Sequence, residues 1–258
     1  MNLESQVALV TGAGGDNGIG FHAARQLAAA GARVFITSTT DRVHQRVDEL
    51  RAAGADALGV VADLMEPGAP ERVVAQALAF GGRLDICVNN AGMVAVGGTP
   101  TETSFASTDD TQWHDGIERN LTTCFAVTRA VLPAMVAAGY GRVVNVASTT
   151  GPLQAALGDV AYHAAKAGMV GLTRVAALEY AVHGITVNAV APGWIATGSQ
   201  TPDEQVAGAR TPMRRSGTPA EVAAAIVFLA SPAASFVTGQ MLVIDGGNSL
   251  PEDRTWNP

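Results

Sequence analysis

Along the whole chain, short runs of consecutive apolar residues alternate with longer alanine-rich stretches of helical spacing. The runs VALVT (7–11), RVFIT (33–37), ALGVVA (57–62), LDICVNN (84–90), RVVNVAS (142–148), ITVNAVAP (185–192) and MLVID (241–245) predict seven strands. Residues 18–30, 41–53, 68–80, 110–138, 160–183 and 219–230 carry the helical pattern. Strands that are apolar at successive rather than alternate positions are covered on both faces, as in a parallel sheet between two layers of helices. The expected fold is α/β, a doubly wound parallel seven-stranded sheet with helices on both faces. No repeat and no linker divides the chain, so residues 1–258 are expected to form one domain.

Two polar segments interrupt this alternation, residues 93–109 and 196–216. Each follows a strand, at the edge where doubly wound folds bind ligands, and each is long enough to be a substrate loop. Residues 248–258 run past the last strand as a tail.

Composition narrows the function. The 258 residues are 48% hydrophobic and 15% charged, enough to build a large core. A net charge of −7 and a pI near 5.1 argue against a nucleic-acid partner. No apolar run is long enough to predict a membrane span, and MNLESQVALV has no basic segment followed by an apolar one, so a cytoplasmic location is expected. Cys87 and Cys124 are expected as buried free thiols, and no cluster of metal ligands appears.

The first strand leads into TGAGGDNGIG and then a helix. Gly12, Gly14, Gly18 and Gly20, with Asn17 and Ile19, form a turn that lets the backbone approach a pyrophosphate at a helix N-terminus. The sheet is therefore expected to be Rossmann-like and to bind a dinucleotide. The second strand ends in Ser38, Thr39 and Thr40 with Arg42 close behind, a set that suits the 2′-phosphate of NADP(H). Asp16 argues for NAD(H) if it faces the adenosine ribose, so NAD(H) remains the alternative.

Fifteen of the sixteen Lys and Arg residues are arginine, and the single lysine, Lys166, lies four residues after Tyr162. On a helix that spacing puts phenol and ammonium on one face. An adjacent cation in a partly desolvated site favours phenolate, so Tyr162 is expected to have a lowered pKa.

Taken together, these motifs resemble the short-chain dehydrogenase/reductase family over almost the whole chain. Thr11-Gly12 and Gly18-Ile19-Gly20 are similar to its TGxxxGxG turn, although two residues longer here. Asp63-Leu64 are similar to its adenine-holding acid, and Asn89-Asn90-Ala91-Gly92 to its NNAG motif. Asn120, Ser148, Tyr162 and Lys166 match its catalytic residues, Pro192-Gly193 with Ile195 and Thr197 its PGxxxT segment, and Asp245-Gly246-Gly247 its closing DGG.

The resemblance implies hydride transfer between a nicotinamide and a secondary alcohol or ketone. Tyr162 is then the general acid/base, Ser148 steadies the carbonyl oxygen, Lys166 tunes the phenol and holds the ribose, and Asn120 places a relay water. It further implies a homotetramer, with Trp256 of the tail near a neighbouring subunit. A 3-oxoacyl-thioester reductase is the alternative within the class, and a non-catalytic dinucleotide sensor the alternative outside it. Met93, Val94, Leu153, Leu157, Trp194 and Met213 are candidate apolar walls, with Gln154 as a polar one. His163 is expected to be a solvated helix position, and Arg214 and Arg215 an exposed pair.

Overall fold

A computed structural model describes residues 2–92 and 104–251. Seven parallel strands form one sheet in the order β3-β2-β1-β4-β5-β6-β7. They are β1 (Val7–Val10), β2 (Arg33–Ser38), β3 (Ala57–Val61), β4 (Ile86–Asn89), β5 (Gly141–Val146), β6 (Ile185–Pro192) and β7 (Met241–Ile244). The strand order reverses direction between β1 and β4, which opens a crevice at the C-terminal ends of those strands.

Successive residues of each strand feed opposite cores, the physical reason for the unbroken apolar runs. Val10, Ile36, Val88, Val144 and Val190 pack with α1 (Ile19–Ala29), α2 (Arg42–Ala52) and α8 (Pro219–Ala230). Leu9, Phe35, Cys87, Val143 and Val187 pack on the other face with α3 (Ala69–Gly81), α5 (Thr123–Ala138) and α6 (Val160–Tyr180). The second core contains a polar ladder. Asn89 donates to Thr128 Oγ1 and to Asn145 Oδ1, both at 2.8 Å, and Asn145 donates to Thr173 Oγ1 at 2.9 Å. These bonds satisfy buried amides and tie α6 to β4 and β5, which fixes where α6 starts over the sheet edge. Cys87 and Cys124 are free and buried, and burial pushes both thiols up, Cys124 to about 12.

Two elements depart from expectation. The segment 110–138 is not one regular helix: α4 (Asp110–Ile117) passes into a π turn, Glu118–Thr122, before α5. A π turn inserts a residue into the ladder and commonly marks a functional position; Asn120 stands in the middle of this one. Taken as a whole, Asp110–Ala138 is long and apolar enough to cross a membrane by length and composition, contrary to the sequence expectation. Its apolar residues Val127, Val131, Leu132 and Met135 are spent in the core. The 196–216 segment, expected as a loop, contains α7 (Pro202–Ala209). Thr201 and Glu204 cap it reciprocally, with Pro202 at its first position.

Candidate active site

The C-terminal ends of the strands surround a cavity of about 330 Å³. Among its lining residues are Ile19, Asn90, Gly92, Ser148, Tyr162, Lys166, Pro192, Gly193, Ile195 and Thr197, all singled out from sequence. Ile19 and Thr197, far apart in the chain, meet here because parallel strands put their C-terminal loops on one edge of the sheet.

Ser148 follows β5 and is 9% exposed. Its Oγ accepts the Thr150 N–H at 3.1 Å, and Ser148 lines the same cavity as Tyr162. Lys166 lies one turn further along α6, buried at 3% exposure, and its Nζ donates to the Val146 carbonyl at 2.9 Å. That ammonium stands 5.5 Å from the centre of the Tyr162 ring. Burial pushes the lysine down to about 8. The phenol does not show the expected depression: burial holds it above its ordinary value, and Asp159 and Glu204 add to the effect while the Ser148 hydroxyl opposes it. Desolvation is the largest of these effects, because the phenol has left water. The consequence is a protonated phenol at neutral pH, the state a general acid needs.

Asn120 lies behind this group, 1% exposed, donating to the Gly116 carbonyl at 3.0 Å and packed against Gly92. The π turn therefore presents it to the cavity wall rather than to the cavity itself.

The dinucleotide expectation fits the other half of the crevice. α1 starts at Gly18 with no side-chain cap and no acid in its first turn, so its leading N–H groups are available to an anion. Gly12 has φ +68°, and a Cβ there would come within 2.8 Å of Ala91; a Cβ on Gly20 would collide with the Asn90 amide, which donates to Thr11 O and Gly12 O. These contacts lock the glycine turn to the 90–92 segment.

Gly14 lies directly against Ser38 and near Arg42, and Arg42 donates to Thr40 Oγ1 at 3.0 Å, with Thr39, Thr40 and Arg42 exposed. Asp63 is exposed and accepts the Met65 N–H, whereas the Leu64 side chain sits in the core. Asp16 turns to the Asn17 N–H, close to Gly198. It is thus Gly14, not Asp16, that adjoins Ser38 and Arg42. The Asn17 amide is committed to the Ala196 carbonyl at 2.9 Å.

The rim differs from expectation at several points. His163 is not a solvated bystander. Its Nε2 accepts the Ala156 N–H at 2.9 Å, so Nδ1 carries the proton and donates to the Asp159 carbonyl at 2.9 Å. The ring thereby holds the 151–159 loop to the start of α6. Gln154, Leu157, His163 and Trp194 line the cavity, while Leu153 and Met213 are not among the lining residues. Met93, Val94 and Trp256 lie outside the described residues. Arg215 pairs with Glu221 and is exposed, as is Arg214. Glu204 was not singled out from sequence; it reaches the cavity from the first turn of α7. The T-x-x-E capping box at 201–204 is the signal that would have found that turn. No group of three or more metal-ligating side chains occurs among the described residues.

A sequence-family model described as Enoyl-(Acyl carrier protein) reductase matches residues 12–249. Oxidoreductase UcpA of Escherichia coli is 39% identical over 264 residues, covering 97% of both chains. The 3-oxoacyl-[acyl-carrier-protein] reductase FabG of Escherichia coli is 38% identical over 251 residues, covering 96% of this chain and 98% of that one. A solved structure described as a short-chain dehydrogenase/reductase from Burkholderia xenovorans superposes with a TM-score of 0.88 at 38% identity, covering 97% of this chain and 99% of the other. The chain belongs to the short-chain dehydrogenase/reductase family. It is an oxidoreductase of that family, whose members generally use NAD(P)(H).

Proposed function

We propose that the protein interconverts a ketone and a secondary alcohol with NADP(H). The convergence of Ser148, Tyr162 and Lys166 on one cavity, with the Lys166 ammonium buried 5.5 Å from the centre of the Tyr162 ring, is the observation that carries this. The bound dinucleotide supplies or accepts the hydride at its nicotinamide ring. Tyr162 donates its proton to the carbonyl oxygen in reduction and takes it back in oxidation. Ser148 hydrogen-bonds the same oxygen and stabilises charge developing there. Lys166 keeps a positive charge next to the phenol below pH 8, which favours proton release when the carbonyl oxygen calls for it. Asn120 positions a water between Lys166 and solvent.

For the coenzyme, Ser38, Thr39, Thr40 and Arg42 supply hydroxyls and a guanidinium beside the glycine turn and favour a 2′-phosphate. NAD(H) is the alternative coenzyme. Identity to FabG supports a second reading, reduction of a 3-oxoacyl thioester. A homotetramer is supported by exposed apolar residues in two regions: Val175 and Leu178 on α6 with Val182 just beyond its end, and Phe228, Phe236 and Leu242 around α8 and β7.

Following reduced-nicotinamide absorbance with ketones, secondary alcohols and 3-oxoacyl esters, each with both coenzymes, tests the assignment. Tyr162→Phe is expected to lower kcat by about 10²–10⁴-fold while coenzyme still binds; a variant near the wild-type rate would refute it.

A further inference from the structure

The two residues by which TGAGGDNGIG exceeds TGxxxGxG are not idle. Asn17, in this longer turn, makes two contacts with the loop after β6. Its Nδ2 donates to the Ala196 carbonyl at 2.9 Å, and its own carbonyl accepts the Gly198 N–H at 3.1 Å. The Asp16 carboxylate accepts the Asn17 N–H at 2.8 Å, which sets the orientation of the turn. The two anchor points, Ala196 and Gly198, flank Thr197, and Thr197 lines the cavity. Ile19, two residues beyond Asn17, lines the same cavity.

In the sheet, β4 and β5 lie between the strands that carry these two loops. The contact therefore bridges the mouth of the crevice over the ends of both strands. The β6 loop is well tied on its far side, where the Ala196 N–H donates to Gly217 O at 2.8 Å and Gln200 N–H to Thr197 O at 3.1 Å. Asn17 is exposed, so its bonds add little to the core. What they hold is the distance between the pyrophosphate side of the crevice and the segment carrying Thr197.

We infer that Asn17 is a positioning residue that straps the Ala196–Gly198 segment across the cavity mouth, so that the nicotinamide half of the coenzyme enters and leaves only when this strap opens. The inference rests on the cavity being a dinucleotide site. Removing the side-chain bond is expected to favour the open strap about fivefold, the effect of roughly one ordinary hydrogen bond.

The test uses Asn17→Ala, with Asn17→Asp as a variant that keeps the shape and removes the donor. In stopped-flow fluorescence, the release rate of reduced coenzyme is expected to rise about fivefold or more in both variants. Amide exchange at residues 196–200 of the coenzyme-free protein is expected to accelerate with it. Affinity for adenosine 2′,5′-bisphosphate, which needs only the tips of β1 to β3, is expected to stay within twofold. Unchanged release and exchange would overturn the strap. A parallel loss of the adenosine fragment would overturn it as well, by showing that the whole turn had moved. Failure of the wild type to bind any nicotinamide coenzyme would instead refute the dinucleotide site, and the strap's role with it.

Discussion

At the floor of the cavity, Ser148 ends a central strand and Lys166 lies within a 21-residue helix, both below a tenth exposed. At the rim, Ala156, Ala196 and Asn248 are held by one or two side-chain hydrogen bonds each: from His163 to Ala156, Asn17 to Ala196, and between Gln154 and Asn248. The floor is over-determined by two cores and a buried amide ladder. The rim depends on bonds worth about 1 kcal/mol each that compete with water. Proton transfer needs atoms fixed to within fractions of an ångström, whereas admitting a substrate needs segments able to part. The difference predicts that floor substitutions act on kcat and rim substitutions on KM or release.

The largest effect is expected at Lys166. A lysine held near 8 instead of its ordinary 10.5 costs the folded chain about 3 kcal/mol. Because its folded value lies below the unfolded one, the full penalty applies below pH 8 and is relieved as the pH rises from about 8 to 10.5. Lys166→Met removes that penalty but orphans the Val146 carbonyl, at a cost of about 1 kcal/mol or more. The variant should lose at least about 100-fold in kcat and yet be no less stable at pH 7 in urea denaturation, its relative stability falling towards pH 10. Lys166→Arg should also be inactive, since a fork cannot replace a buried point donor. A Met variant less stable than wild type by a margin that does not change with pH would show that the floor does not trade stability for chemistry.

A smaller, differently directed effect is expected at His163. Its ring accepts from one end of the 151–159 loop and donates to the other. His163→Ala leaves two loop groups to water and is expected to raise KM for the carbonyl substrate about tenfold, with coenzyme affinity unchanged and kcat within about threefold. Steady-state kinetics with coenzyme saturating make the measurement. A drop confined to kcat would place His163 with the floor and erase the distinction.

The same division explains what was legible in the sequence. Strand and helix periodicity gave the sheet with its edges displaced by one to two residues, because a parallel strand buried on both faces is a continuous apolar run. Tyr162 and Lys166 were legible because one helical turn is a local spacing. The π turn at Asn120 was not, since no breaker marks that position in the sequence, and what Asn120 meets there, Gly92, lies 28 residues earlier in the chain. His163 was misjudged, and Asn17's hold on the 196–198 segment was not legible, for a related reason. Their partners are backbone groups, and a backbone N–H or carbonyl has no letter in the sequence. The depressed phenol expected from the lysine failed because the spacing shows which groups are adjacent but not how deeply both are buried.

The smallest effect should come from the pair farthest from the chemistry. Gln154 Nε2 donates to the Asn248 carbonyl at 3.2 Å, and Asn248 Nδ2 donates back to Gln154 Oε1 at 3.3 Å. Both bonds are long and only partly buried, so each contributes towards the low end of the usual range. They join the 151–159 loop to the segment after β7, which is itself fixed when the Asp245 carboxylate accepts the Gly247 and Ser249 N–H groups at 2.9 and 2.8 Å. Gln154 also lines the cavity, so its amide can meet substrate directly. Gln154→Ala removes both bonds and any substrate contact, whereas Asn248→Ala removes only the bond from Asn248 Nδ2, because the Asn248 backbone carbonyl remains for Gln154. If the pair merely holds the rim, Gln154→Ala should raise KM by about two- to threefold, Asn248→Ala by less, and the double variant no more than Gln154→Ala. A Gln154→Ala effect of about tenfold or more, with Asn248→Ala below about twofold, would mean that the Gln154 amide touches the substrate, making it a specificity residue of the rim.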